Sequence, residues 1–298
     1  MKPLKTLILF LALSFNITEA KQSNQINETS KEIYGDHTSN LTIKISNGGA
    51  GPTGILKALA EDYLSINKER KIAIAWYQNI SSLSLNLLKE NKVDIALIYE
   101  PVDAKKAITQ NLASNYSLIF NDHFLIVGPE KNEADILPTD SASKAFAKIA
   151  QYGKKNPDEK KFLTRDDSSG TNIKEKLLWT LIHQAPFDEN NQWYFKYQKF
   201  PSDALLKADQ EGMYTITDWG TWISNKHTIK NTKILVRGGE DLVNPCLALL
   251  QKNPTPETLH FLEYLKSSKA QELIAKYGQE KPQKKAFFTP ANQLDFEN

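Results

Sequence analysis

The stretch Phe162-Leu163-Thr164-Arg165-Asp166-Asp167-Ser168-Ser169-Gly170-Thr171 runs an apolar strand end into a hydroxyl-rich turn and then into an amphipathic helix. A turn of this kind builds an anion pocket. The first N–H groups of a helix have no acceptor within the helix, and its dipole is positive at that end. Ser168, Ser169 and Thr171 offer hydroxyls around Gly170, and Arg165 offers a planar positive fork. The same residues read equally well as a structural cap, with Ser169 and Thr171 closing the helix and Asn172 and Glu175 resembling a capping-box pair.

Toward the N-terminus the pattern recurs. Leu41, Ile43 and Ile45 alternate as a strand, the loop Ser46-Asn47-Gly48-Gly49-Ala50-Gly51-Pro52 breaks it, and Ile55, Leu56, Leu59, Ala60, Tyr63 and Leu64 share one helical face. Residues 72–77 make a second strand, 82–90 a helix and 93–99 a third strand, so successive crossovers predict a parallel sheet with ligands at its strand carboxyl ends. Residues 116–120 and 124–127 read as two strands separated by Asn121-Asp122-His123, with passage to a second lobe following. That lobe is expected to hold a helix at 142–152, the Arg165 turn with a helix to about 184, a strand at 194–197, a helix at 203–210 and a strand at 213–217 turning at Asp218-Trp219-Gly220. Residues 247–250 return the chain to the first lobe, which the helices of 256–277 close. The reading is therefore α/β, with two lobes made of mixed, mostly parallel sheets flanked by helices. Two crossings join them and form a hinge. The expected limits are 41–125 with 243–298 for lobe 1 and 126–242 for lobe 2.

Lys2 and Lys5, the apolar run 7–13 and Thr18-Glu19-Ala20 read as an export signal over residues 1–20. Residues 21–40 read as a polar tether. The apolar run is too short to span a bilayer, and no later segment approaches the roughly 20 apolar residues a span needs. Export without a disulfide framework, since Cys246 is the only cysteine, predicts a periplasmic or secreted protein. Lys and Arg total 37 against 35 Asp and Glu, a balance that argues against a nucleic-acid or acidic-membrane partner. No zinc spacing, nucleotide loop or dinucleotide fingerprint is present, so no cofactor is expected.

Three turns could converge in the cleft: 46–51, 165–171 and 218–221. Gly48 and Gly49 would let backbone N–H groups reach an oxyanion unobstructed, or would simply make a tight strand-to-helix turn. A helix N-terminus from each lobe is expected to face the anion. A secreted serine hydrolase using Ser168 or Ser169 is the rival reading, but no spacing pairs either serine with His37, His123, His183, His227 or His260. Of the tryptophans, Trp179 reads as core, and Trp219, next to Asp218, is expected near the cleft mouth.

Four segments resemble the tungstate-binding extracellular solute-binding proteins of the type II periplasmic binding protein superfamily. They are Asn121-Asp122-His123-Phe124-Leu125-Ile126-Val127-Gly128-Pro129, Phe162 to Thr171 continuing to Trp179, Tyr214-Thr215-Ile216-Thr217-Asp218-Trp219-Gly220-Thr221, and Leu242-Val243-Asn244-Pro245. The resemblance implies a protein that holds tungstate or molybdate between its lobes and delivers it to the permease of an ABC importer; a monomer without enzymatic activity is expected. It also implies Arg165, Ser169 and Thr171 as ligand residues; the three turns read from the residues add Ser46, Asn47, Gly48, Gly49, Ser168, Gly170, Asp218 and Trp219 as candidates. Three positions depart from the family pattern: a Gly-rich loop replaces a Thr/Ser-rich one at 46–50, Trp219 stands where an arginine is usual, and Asn172 where a histidine is usual. Phosphate, sulfate and small organic anions are the alternative ligands. Tungstate, molybdate and sulfate accept hydrogen bonds only, whereas phosphate keeps a proton and gains from a carboxylate such as Asp166, Asp167 or Asp218 in the pocket. Asp167 is expected to turn outward or to accept from its own loop.

Overall fold

The computed structural model describes residues 27–188, 191–280 and 284–294. The chain opens with β1 (Glu32–Gly35), β2 (Leu41–Asn47), α1 (Ile55–Ile66), β3 (Ile72–Gln78), α2 (Ser81–Lys89) and β4 (Ile95–Ile98). It continues with α3 (Pro101–Thr109), β5 (Tyr116–Pro129), α4 (Ala142–Lys155), β6 (Phe162–Thr164), α5 (Gly170–Leu181) and β7 (Tyr194–Lys196). Then follow α6 (Pro201–Glu211), β8 (Thr215–Asp218), α7 (Trp219–Asn225), β9 (Thr232–Arg237), β10 (Val243–Leu250), α8 (Pro256–Lys266), α9 (Ser268–Lys276) and β11 (Thr289–Pro290). The export signal read at 1–20 lies outside the described residues. No described helix is long and apolar enough to cross a membrane.

The crossover pattern of residues 41–99 appears as expected: β3, β2 and β4 lie parallel in that order, with α1 and α2 as the connections. The tether does not extend through 40. Glu32–Gly35 pair antiparallel with β3 and bury Tyr34, a strand too short to show a period in the sequence. β10 runs antiparallel between β4 and β5, and β11 adds to β5.

β5 is one strand where two were expected. It pairs with β10 as far as His123 opposite Val243, then with β8 from Phe124 opposite Asp218 and with β9 beyond. The chain thus passes between lobes within β5 and again between β9 and β10. Asn121, Asp122 and His123 do not break the strand because their side chains are satisfied there. Asn121 donates to Gln293 O (3.0 Å), Asp122 accepts from the His123 N–H (2.7 Å), and His123 Nε2 meets Thr289 Oγ1 at 3.0 Å. Strands that cross straight from lobe to lobe need no crossover helix. Their neighbours accordingly run antiparallel, and among the described residues parallel pairing is confined to β3-β2-β4, β6-β7 and the Phe162–Tyr214 bridge.

The second lobe packs Phe146, Phe162, Trp179, Trp193 and Tyr214 into one aromatic core, with Trp179 fully buried as expected. Asp218-Trp219-Gly220 is not a turn. Asp218 caps α7, whose Trp219 and Trp222 join the first lobe's core.

Candidate functional site

The second lobe's half of the site is the loop between β6 and α5. Its floor is Glu175, buried one turn into the helix. One carboxylate oxygen accepts from the Tyr194 hydroxyl (2.5 Å) and the Trp179 indole (3.0 Å); the other accepts from the Thr164 hydroxyl (2.7 Å) and the Asn172 amide (3.5 Å). Burial outweighs these four donors and pushes the Glu175 carboxyl up to about 7. Above it Thr164 Oγ1 accepts from the Asp166 N–H, and the Ser168 N–H donates to Asn172 Oδ1. Ser169 is the helix N-cap, accepting from the Asn172 N–H, so Asn172 bonds both serines as well as Glu175. Ser168 is exposed and holds a left-handed φ of 58°.

Arg165 is buried. Its Nε donates to Lys199 O (3.0 Å), and its guanidinium pairs with Asp167, whose other oxygen accepts from the Ser169 N–H at 3.1 Å. Asp167 therefore accepts from its own loop, as electrostatics requires. Asp166 faces Lys196 and Lys176. Asp218 caps the Thr221 N–H (2.7 Å) and hydroxyl (2.6 Å). None of these three carboxylates is left unpaired. Arg165, Thr171, Thr217 and Asp218 line a small recess, and the buried Thr217 hydroxyl in it has no hydrogen-bond partner among the described residues.

In the first lobe the side chains of Ser46 and Asn47 are not presented to the cleft. Both are fully buried. Ser46 Oγ meets Ser84 Oγ at 2.9 Å. Asn47 donates to Leu97 O (3.1 Å) and accepts from the Gly51 N–H (3.0 Å), which corrects their expected role as ligand groups. The glycines answer to packing. A Cβ on Gly51 would stand 1.9 Å from the Trp76 ring, and one on Gly48 2.9 Å from Asn79 O. Nor does α1 present a free helix start. A 3-10 turn at Gly51–Thr53 intervenes, and Thr53 Oγ1 accepts from the Ile55 N–H. The helix start that the first lobe brings forward is α2, whose Ser81 Oγ accepts from the Tyr99 N–H at 3.4 Å.

The halves meet at Tyr99 and Glu100, just past β4. A Cβ on Gly49 would lie 3.7 Å from Tyr99 Oη; one on Gly170 would lie 3.6 Å from Tyr99 Cβ and 3.3 Å from Glu100 Oε1. Among the described residues the N–H groups of Gly48, Gly49, Gly170 and Thr171 have no protein acceptor. Glu100 Oε1 is buried and likewise has no partner, and Tyr99 Oη is buried beside Asn47 and Cys246. Burial raises the Glu100 carboxyl above its usual range, with Asp103 adding to the shift, and it raises the Tyr99 hydroxyl as well. Behind them Asp122 is raised by burial and by Asp218.

Trp219 is not at the cleft mouth. It is 6 % exposed, its indole donates to Ala286 O (2.8 Å), and the Arg237 guanidinium lies 4.1 Å over its ring. Tyr99, Glu100 and Thr217 went unnoticed in the sequence. The rule placing ligands at strand carboxyl ends, applied to β4 and β8 one by one, was the signal available for them.

The PBP superfamily domain matches residues 23–269. A tungstate-binding protein of Peptoclostridium acidaminophilum is 26% identical over 93% of each chain. A Haloferax volcanii protein provisionally named an ABC transporter anion-binding protein is 30% identical over 65% of this chain, a match spanning 57% of that relative's length. A crystal structure of a periplasmic protein provisionally named metal-binding superposes with a TM-score of 0.81 at 29% identity, covering 88% of this chain and 100% of that one. The tungstate-binding protein of Desulfovibrio alaskensis gives a TM-score of 0.70 at 25% identity over 86% and 100%.

Proposed function

We propose that this chain, which belongs to the PBP superfamily, is a periplasmic or secreted solute-binding protein. It takes up a small tetrahedral oxyanion, tungstate or molybdate foremost, and delivers it as a monomer to an ABC importer. The lobes that close on the ligand are 41–125 with 243–298, and 126–242. One observation carries the reading. Unpaired backbone N–H groups of both lobes, at Gly48–Gly49 and Gly170–Thr171, flank buried polar atoms that have no partner, with Arg165 beside the second set.

Amides at a helix start bind dianions without adding an acceptor that a fully deprotonated anion would repel. The hydroxyls of Thr171 and Thr217 supply further donors in the recess beside Arg165. The names of the Peptoclostridium and Desulfovibrio relatives support tungstate, and that of the Haloferax relative supports an anion delivered to an ABC transporter. The groups placed by their hydrogen bonds do not favour the rival hydrolase reading. Ser169 Oγ caps α5, and His123 and His260 bond Thr289 and Tyr63.

Titration calorimetry of the purified protein against tungstate, molybdate, sulfate and phosphate tests the proposal. Saturable one-to-one binding of at least one of them is expected. Heat from none would leave only the fold assignment standing.

A further inference from the structure

Glu100 is the one carboxylate between the two sets of amides that is left with an unpaired oxygen, and none of the turns read from the sequence contains it. Its Oε2 accepts from the Tyr99 N–H at 3.2 Å, while Oε1 is buried, lacks a partner and faces the start of α5 at Gly170. Glu100 is 8 % exposed. A buried oxygen at this point has two ways to be satisfied by a bound oxyanion. It accepts from a proton on the ligand, or it carries a proton and donates to the ligand. Ionised and facing a fully deprotonated anion, it would set two bare negative oxygens together in a dry site, the least favourable arrangement.

We propose that Glu100 contacts the bound oxyanion and shares one proton with it, so that capture of a fully deprotonated oxyanion takes up a proton from solvent and release returns it. This rests on the oxyanion-binding reading and adds the linkage to it. The groups around Glu100 act in both directions. Burial and the negative charge of Asp103 on α3 favour the protonated carboxyl, the Ser81 hydroxyl of α2 and the Tyr99 N–H favour the ionised one, and α5 contributes backbone at Gly170. Through Tyr99 the next groups are Cys246 on β10 and Asp122 on β5, both held toward their protonated forms by burial. No lysine or arginine pairs with Glu100 among the described residues. A ligand that already carries a proton, such as monohydrogen phosphate, needs none from solvent.

Calorimetry of tungstate binding in buffers of different ionisation enthalpy counts the protons. The expected result at about pH 8 is an uptake near one for the native protein and near zero for Glu100→Gln. Native affinity is expected to fall about tenfold per pH unit above the carboxyl's own titration, with a flat profile in the variant. Asp103→Asn keeps the uptake, and phosphate, offered as the monohydrogen ion, binds without it. Tungstate binding with no proton uptake by the native protein, or with the same uptake in Glu100→Gln, overturns the proposal. The native measurement decides the matter even if the variant fails to fold. Absence of binding by every oxyanion instead removes the function on which the linkage rests.

Discussion

Gly170, at the first turn of the second lobe's helix α5, and Glu100, just past the first lobe's strand β4, face each other so closely that a methyl on the glycine would stand 3.3 Å from the carboxylate oxygen. This separation is tighter than ordinary van der Waals contact, so the Glu100 carboxylate would have to give by a few tenths of an ångström.

Gly170→Ala should weaken oxyanion binding by about tenfold, or ~1.4 kcal/mol, because the added methyl would stand against Glu100 between the two sets of amides. Gly170 is the first residue of α5 and has no left-handed φ, so alanine fits its backbone and the melting temperature should hold. Calorimetry together with a thermal melt checks both. Unchanged affinity would show that the ligand does not bring these residues together.

Arg165→Ala should weaken binding by ~1.5–3 kcal/mol, the range for hydrogen bonds to charged groups. The guanidinium also holds Asp167 and Lys199 O, so some stability is lost in addition. A variant that melts earlier yet binds as tightly as the native protein would reduce Arg165 to a loop brace.

Glu175 makes stability fall as pH rises. Its carboxyl titrates at about 7 in the fold against an ordinary value of 4.5, so the native state holds the proton more tightly than the unfolded chain does. Its contribution is complete below about 4.5 and declines through 7 by at most ~1.4 kcal/mol per pH unit. Denaturant titrations at several pH values should show this slope in the native protein and its absence in Glu175→Gln. A parallel slope in the variant would assign it to other groups.

Gly51→Ala should destabilise the protein by ~1–3 kcal/mol or more, the range for overpacking, since the methyl would overlap the Trp76 ring. Urea unfolding followed by tryptophan fluorescence measures it. A loss under 0.5 kcal/mol, roughly the scatter of neutral surface changes, would mean the loop shifts freely and is not held by Trp76.

The crossover order of the first lobe was legible because helical and strand periods alternate plainly over residues 41–99, and parallel pairing follows from that alternation. The anion-type turn at 164–171 was legible for the same local reason, since capping depends on residues within a few positions of one another. Other features were not. Asn121-Asp122-His123 read as a break because polar residues end strands unless something distant bonds them, and here Thr289 and Gln293 do so. Trp219 read as a cleft residue because it follows Asp218, while its indole in fact bonds Ala286, far along the chain.

Taken alone, the amino-acid sequence determined what short-range chemistry governs: the α/β alternation, the two glycine turns and the capped start of α5. Only the tertiary structure decided which groups meet between the lobes. It turned Ser46 and Asn47 inward to hold their own loop, and it set Tyr99 and Glu100 between Gly49 and Gly170. The reason is geometric. Hydrogen-bond satisfaction and burial at a junction depend on segments brought together by folding, and periodicity within one segment carries no information about the other.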